Sequence, residues 1–175
     1  MTTLSVIIVS YNTAALLRAC LRSVEAALAD WPAIEGEVWV VDNASLDGSV
    51  PMVKQEFPRV RLIANGRNRG FAAANNQALI QGQGQYLLLL NPDTELRPRA
   101  LPLLIGFLES HPRVGLVGPQ LLYPDGSFQH AAFRFPTLAM SFLDLFPLHH
   151  RLLDSNLNGR YPRTAYDGFP FEIDH

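Results

Sequence analysis

The sequence predicts an α/β protein: a mostly parallel sheet flanked by helices, followed by an antiparallel hairpin and an irregular tail. Three observations predict it. Short apolar runs (Leu4 to Val9, Glu37 to Val41, Val60 to Ala64, Tyr86 to Leu90) alternate with longer stretches whose apolar residues recur every three to four positions. Such strand-helix-strand units take a right-handed crossover, which makes successive strands parallel. The alternation then breaks at Leu121 to Phe128, where a Pro-Asp-Gly turn marks a hairpin.

Leu4 to Val9 reads as the first buried strand, ending at Ser10-Tyr11-Asn12. Asn12 or Thr13 caps the helix that follows. Its Leu16, Leu17, Cys20, Leu21, Val24 and Leu28 form the inward stripe, with Arg18, Arg22 and Glu25 opposite, and Trp31-Pro32 closes it. The second strand delivers Asp42 to Ser49 to the same sheet edge. Asp47 and Ser49 suit capping of a helix with Pro51 in its first turn. Asp42 is free of that task, and a carboxylate at a strand's carboxyl end commonly accepts hydrogen bonds from a ribose or base edge.

The third strand runs into Asn65 to Gly70, then a helix opening with Phe71-Ala-Ala-Ala. Gly and Arg before a helix N-terminus make an anion site through free N–H groups and the helix dipole. The small residues also suit close helix-sheet packing. Neither a Walker-type loop nor the three-glycine dinucleotide pattern is present.

Tyr86 to Leu90 reads as a central strand covered on both faces. Pro92 has no N–H and forces the chain out of the sheet, presenting Asp93 at the carboxyl edge. A fixed carboxylate there suits a divalent cation held against a phosphate. An ordinary turn and helix cap is the competing reading of Asn91-Pro92-Asp93. Pro98 to His111 reads as a helix with Leu101, Leu104, Ile105 and Leu108 inward, and Val114 to Val117 as a further strand. Phe133, Phe135, Phe142, Leu143, Leu145 and Phe146 form an apolar patch, read as core ahead of membrane-surface or acceptor-lipid contact. His149 and His150 read as surface residues, and 156–175 as loop.

The composition is globular, with 48% apolar and 17% charged residues among 175, about one domain length. A net charge of −2 excludes a generic nucleic-acid binder. All basic residues except Lys54 are Arg. Cys20 is the single cysteine, so no internal disulfide forms, which fits a reducing cytoplasm; a packed, inert thiol is expected. The N-terminus lacks the pattern of a signal peptide, and no run reaches the roughly 18 apolar residues of a membrane span.

Ser5-Val-Ile-Ile-Val-Ser-Tyr-Asn12, Val41-Asp-Asn-Ala-Ser45, Asn68-Arg-Gly-Phe-Ala72 and Asn91-Pro-Asp93 occur in this order. Each motif is weak alone; the ordered set resembles the N-terminal, nucleotide-sugar-binding part of family 2 glycosyltransferases with the GT-A fold, most closely the rhamnosyltransferase-like subgroup of cell-envelope polysaccharide assembly. The resemblance covers roughly residues 4–135. It implies a nucleotide-sugar-binding domain over 1–135, with 136–175 beginning an acceptor-side region that is cut short.

Carried over position by position, the resemblance implies that Tyr11 flanks the base and Asp42 hydrogen-bonds it. Asn68 and the backbone around Gly70 face the nucleotide, with Arg69 a weaker candidate. Asn91 and Asp93 occupy the family's Asp-x-Asp position, Asp93 contacting Mg²⁺ or Mn²⁺ on the diphosphate. Asn91 stands where many relatives have Asp, which leaves one charged ligand. The implied activity is inverting transfer of a sugar from a nucleotide-diphosphate donor to a glycan or lipid-linked acceptor, at the inner face of the membrane. Relatives carry the catalytic base in a Gly-rich acidic motif after a segment like Phe171 to His175, so the base is expected beyond His175, with Glu172 and Asp174 only leading into it. A non-catalytic nucleotide-binding module is the alternative. A sugar nucleotidyltransferase is a third reading, weakened because Ser10-Tyr-Asn-Thr13 stands where its Gly-rich loop belongs.

Overall fold

The computed structural model describes residues 2–134, 137–146, 158–161 and 166. The chain divides into two compact units, Met1–Val117 and Gly118–His175.

The first unit runs β1 (Thr2–Ser10), α1 (Ala14–Ala29), β2 (Ile34–Asp42), α2 (Ser49–Glu56), β3 (Arg61–Ala64), α3 (Phe71–Leu79), β4 (Tyr86–Leu90) and α4 (Ala100–Ser110). The strands form one parallel sheet in the order β3-β2-β1-β4. Its register sets the carboxyl ends side by side: Ser10 pairs with Asp42, and Asp42 with Ala64. Turns leaving these strands therefore share one edge.

Alternate residues of β1 and β2 supply the two core layers, as the period of two requires. Val6, Ile8, Val38, Val40 and Leu90 pack with Leu17, Cys20, Leu21 and Val24 of α1, Met52 and Val53 of α2, and Leu101 and Ile105 of α4. Ile7, Val9, Trp39 and Val41 meet Ala74 and Ala78 of α3. Those alanines let α3 sit close to the sheet. Each fully buried aliphatic side chain in these layers contributes about 1.5–3 kcal/mol.

Four expectations change. β4 is not central among the described strands: it pairs with β1 alone, at the sheet edge. Leu87 and Leu89 are half exposed, because the layer built on α3 covers β1 and β2. Residues 114–117 form no strand, and Leu116 is exposed; a run this short, interrupted by Gly115 and followed by Gly118, finds no strand to pair with among the described residues. On α1, Leu16 is half exposed and Ala27 is buried in the stripe instead. The apolar patch is not core: Phe133, Phe142, Leu145 and Phe146 are all exposed.

The second unit contains β5 (Leu121–Leu122), β6 (Phe128–Gln129) and α5 (Leu138–Leu145). The expected hairpin is present: β5 and β6 pair antiparallel across the Pro124-Asp125-Gly126 turn, and Asp125 accepts from the Ser127 N–H. Thr137 caps α5 by accepting from the Met140 N–H. Phe133 bridges to Arg160, and Tyr166 hydrogen-bonds the Ala132 backbone. Phe135, His149, His150, Phe171, Glu172, Asp174 and His175 lie outside the described residues.

Candidate functional site

Four turns meet at the carboxyl edge of the sheet. The first leaves β1 through Tyr11 and Asn12, and the second leaves β2 through Asp42 to Gly48. They are stitched together in both directions: the Asn12 N–H donates to Ser45 Oγ at 2.9 Å, and the Leu46 N–H donates to Asn12 Oδ1 at 2.8 Å. Asn12 and Ala44 both take the left-handed backbone region, at φ 54° and 68°. For Ala44 that costs about 1–2 kcal/mol. Tyr11 is half exposed beside this pair of turns.

Asp42 is 1% exposed. Its Oδ1 accepts from the Ser45 N–H at 2.9 Å, which shapes the turn. Its Oδ2 is buried and has no hydrogen-bond partner among the described residues. A buried polar oxygen left unpaired is rare and costs stability unless something satisfies it.

The helix caps differ in detail from expectation. Thr13 occupies the α1 cap position, but its side chain pairs with Ser10 Oγ rather than with a helix N–H. The Ala14 N–H instead donates to Asp47 Oδ2 at 2.7 Å. Asp47 Oδ1 accepts from the Ser49 N–H at 3.0 Å, next to the Gly48 cap of α2. Asp47 thus serves the start of α1 as well as that of α2, whereas Ser49, also predicted as a cap, is the first residue of α2, and Gly48 holds the cap position.

The third turn brings Asn68, Arg69 and Gly70 to the edge. Gly70 caps α3 with φ 81° and ψ 164°, a conformation open essentially to glycine alone. The Asn68 Oδ1 accepts from the Gly70 N–H at 2.8 Å. Arg67, Asn68, Arg69 and Ala73 line an open depression at this helix start. Asn43 ties the turn to β2: its Oδ1 accepts from the Arg69 N–H, and its Nδ2 donates to the Gly70 carbonyl, both at 3.3 Å. Asn65 Nδ2 also donates to Asn43 Oδ1, and Asn65 and Gln77 exchange two amide hydrogen bonds. Asn43, Asn65 and Gln77 were not singled out from the sequence; their amides at element ends were the available signal.

The fourth turn leaves β4 at Asn91 and carries the exposed Asp93. The Thr94 N–H closes it on the Asn91 carbonyl at 3.1 Å. Burial, with the nearby charges of Asp93 and Glu95, pushes the Cys20 thiol up to about 12. The packed, inert thiol expected there is what the structure contains. No three acidic, His or Cys side chains cluster as a complete metal cage among the described residues. One exposed carboxylate nevertheless fits a cation that keeps waters and takes its other oxygens from phosphates.

Tyr11, Asp42, Asn68, Gly70, Asn91 and Asp93 therefore all belong to turns at one edge, drawn from four strand ends. The family described as "Glycosyl transferase family 2" matches residues 5–163. The chain belongs to glycosyl transferase family 2.

This family 2 chain is 31% identical over 112 residues to the N-acetylglucosaminyl-diphospho-decaprenol L-rhamnosyltransferase of Mycobacterium tuberculosis, covering 58% of the chain and 36% of that protein. It is 31% identical over 126 residues to the putative glycosyltransferase EpsE of Bacillus subtilis, covering 69% of the chain and 44% of that protein. The family 2 fold is also found in the mannosyltransferase PcManGT of Pyrobaculum calidifontis, solved with GDP-Man and Mn²⁺, at TM-score 0.56 and 25% identity over 70% of this chain and 36% of that one. S. aureus TarS residues 1–349 share the fold at TM-score 0.56, over 94% of this chain and 48% of that one. The expected GT-A arrangement is thus the fold observed. The chain spans 36–44% of the length of the two curated relatives, 36% of the PcManGT chain and about half of TarS residues 1–349.

Proposed function

We propose that this chain forms the donor-binding half of a glycosyltransferase that uses a nucleoside-diphosphate sugar. One observation carries the reading: the buried, unpaired Asp42 Oδ2 lies at a sheet edge where the Asn68–Gly70 and Asn91–Asp93 turns also arrive. Asp42 supplies an acceptor for a base N–H, beside the half-exposed Tyr11 ring. Asn68 and Gly70 shape the turn before α3, whose first-turn N–H groups suit a phosphate. Asn91 and Asp93 hold the diphosphate end, with Asp93 as the ligand of Mg²⁺ or Mn²⁺. When bound, that cation offsets the charge growing on the leaving diphosphate. The Mn²⁺ and GDP-Man of the PcManGT structure support this part of the reading.

In the reaction we infer, the bond from the sugar's anomeric carbon to phosphate oxygen breaks, its electron pair leaving with the nucleoside diphosphate. An acceptor hydroxyl attacks from the opposite face and gives its proton to a carboxylate, which inverts the anomeric centre. The acceptor is a glycan or a lipid-linked glycan in cell-envelope polysaccharide assembly, as the decaprenol-linked substrate in the mycobacterial relative's name suggests. No helix among the described residues is long and apolar enough to cross a membrane. The exposed Phe142, Leu145 and Phe146 of the α5 region support peripheral contact at the inner membrane face.

Calorimetric titration of the chain with UDP, dTDP and GDP in Mn²⁺ tests the donor site. At least one nucleotide should bind, and Asp42→Ala should weaken it by about tenfold or more, the scale of a lost hydrogen bond to a charged group. Absence of binding by all three would overturn the reading.

A further inference from the structure

Two side chains of α1 reach the segment that carries Asp93. Cys20 Sγ lies 3.6 Å from the Asn91 carbonyl oxygen and donates to it. Ser23 Oγ accepts from the Leu96 N–H at 2.9 Å and donates to the Cys20 carbonyl at 2.7 Å. Three residues apart, the two side chains share one helix face. They grip opposite ends of the six residues Asn91 to Leu96.

Leu96 also packs against the core at the far end of that segment, so the Asn91 end depends most on α1. The segment leaves an edge strand whose outer leucines are half exposed, and Pro92 contributes no N–H. Its internal backbone bond is Thr94 N–H to the Asn91 carbonyl, the same oxygen that Cys20 reaches.

We propose that Ser23, together with Cys20, is a positioning residue for Asp93: α1 fixes both ends of the Asn91–Leu96 turn, and so sets where the Asp93 carboxylate meets the donor's diphosphate. Neither side chain touches the ligand. The inference rests on the metal-diphosphate role proposed for Asp93.

The test uses the tightest-binding of UDP, dTDP and GDP, titrated with and without Mn²⁺, on wild type, Ser23→Ala, Ser23→Thr, Cys20→Ala, Asp93→Ala and the double variant Ser23→Ala with Asp93→Ala. Thermal melts of each variant accompany the titrations. Ser23→Ala and Cys20→Ala should each weaken the Mn²⁺-dependent part of binding by about three- to tenfold, the range of one neutral hydrogen bond. Metal-free binding should stay at the wild-type value, and Ser23→Thr, which keeps the hydroxyl, should restore the Mn²⁺ effect. In the Asp93→Ala background Ser23→Ala should add no further loss, because both act through one carboxylate. Equal loss with and without Mn²⁺, tracking a lower melting temperature, would reduce the two residues to structural ones and overturn the proposal. An unchanged Mn²⁺ effect in Ser23→Ala and Cys20→Ala, while Asp93→Ala abolishes it, would overturn the anchoring and leave the donor site standing. An Asp93→Ala variant with wild-type Mn²⁺ dependence would overturn both.

Discussion

The Asp47 carboxylate accepts a hydrogen bond from the backbone N–H of Ala14 at 2.7 Å, across 33 residues of sequence. Its other oxygen takes the Ser49 N–H, so one side chain serves the starts of both α1 and α2. The turns after β1 and β2 are locked as one piece by this carboxylate. Asp47→Ala should therefore cost more than a single cap, about 1–2 kcal/mol by urea denaturation. A loss below a few tenths of a kcal/mol would show that water replaces the carboxylate.

The same residue gives a pH dependence with a definite sign. Burial is the largest single influence on Asp47 and opposes its ionisation, but the Ser49 hydroxyl and the Ala14 and Ser49 N–H groups together outweigh it and hold its pKa below the usual 3.8. A carboxyl lowered on folding stabilises the protein fully above its unfolded value and loses that contribution as pH falls through the folded one. The stability gap between wild type and Asp47→Ala should be constant above about pH 5 and narrow as pH drops below 3.8. Denaturation midpoints across that range check it.

Two glycines with positive φ should respond differently to alanine. At both Gly48 and Gly70 a Cβ would meet nothing within 4 Å, so the cost is backbone strain alone. Gly48 sits in the left-handed helical region, where Ala costs about 1 kcal/mol. Gly70, at φ 81° and ψ 164°, lies where only glycine is comfortable, and Ala should cost about 1–3 kcal/mol. Gly70→Ala should also weaken nucleotide binding, because relief of the strain moves the turn beside Asn68. Paired melts and titrations of the two variants test the contrast.

Asn43 offers a sharper probe of the same turn. Its removal leaves the Arg69 N–H, the Gly70 carbonyl and one Asn65 amide without their partner. Asn43→Ala should cost about 1–2 kcal/mol, since it removes three part-buried hydrogen bonds made by a buried side chain. Nucleotide affinity should fall with it, as read by calorimetry at a temperature where the variant is folded.

Much of this architecture was legible in the sequence because each strand ends in a polar turn that the helix period then follows. Ser10, Asp42 and the Asn68–Gly70 turn were placed at one edge by connectivity alone, and the parallel register bears that out. What stayed hidden has specific causes. Leu87 to Leu90 is a run of identical residues with no period, so the sequence could not reveal that one face of β4 is exposed. Val114 to Val117 has a strand's composition, yet composition does not supply a pairing partner. The aromatic patch around Phe142 is amphipathic in helical spacing, and hydrophobicity alone does not tell core from exposed face. In the candidate site, the carboxylates were visible as residues out of place in apolar runs. The amides that hold the turns, Asn43 and Asn65 after strands and Gln77 within α3, look like ordinary polar residues until long-range contacts bring them together.

Asp93 is the proposed contact, through a cation, with the phosphate end of a bound nucleotide. The direct measurement is calorimetry of the preferred nucleoside diphosphate with and without Mn²⁺, on wild type and Asp93→Ala. Wild type should bind more tightly with Mn²⁺, and Asp93→Ala should bind equally in both conditions, at the wild-type metal-free affinity. An Asp93→Ala variant that keeps the full Mn²⁺ enhancement would contradict the account.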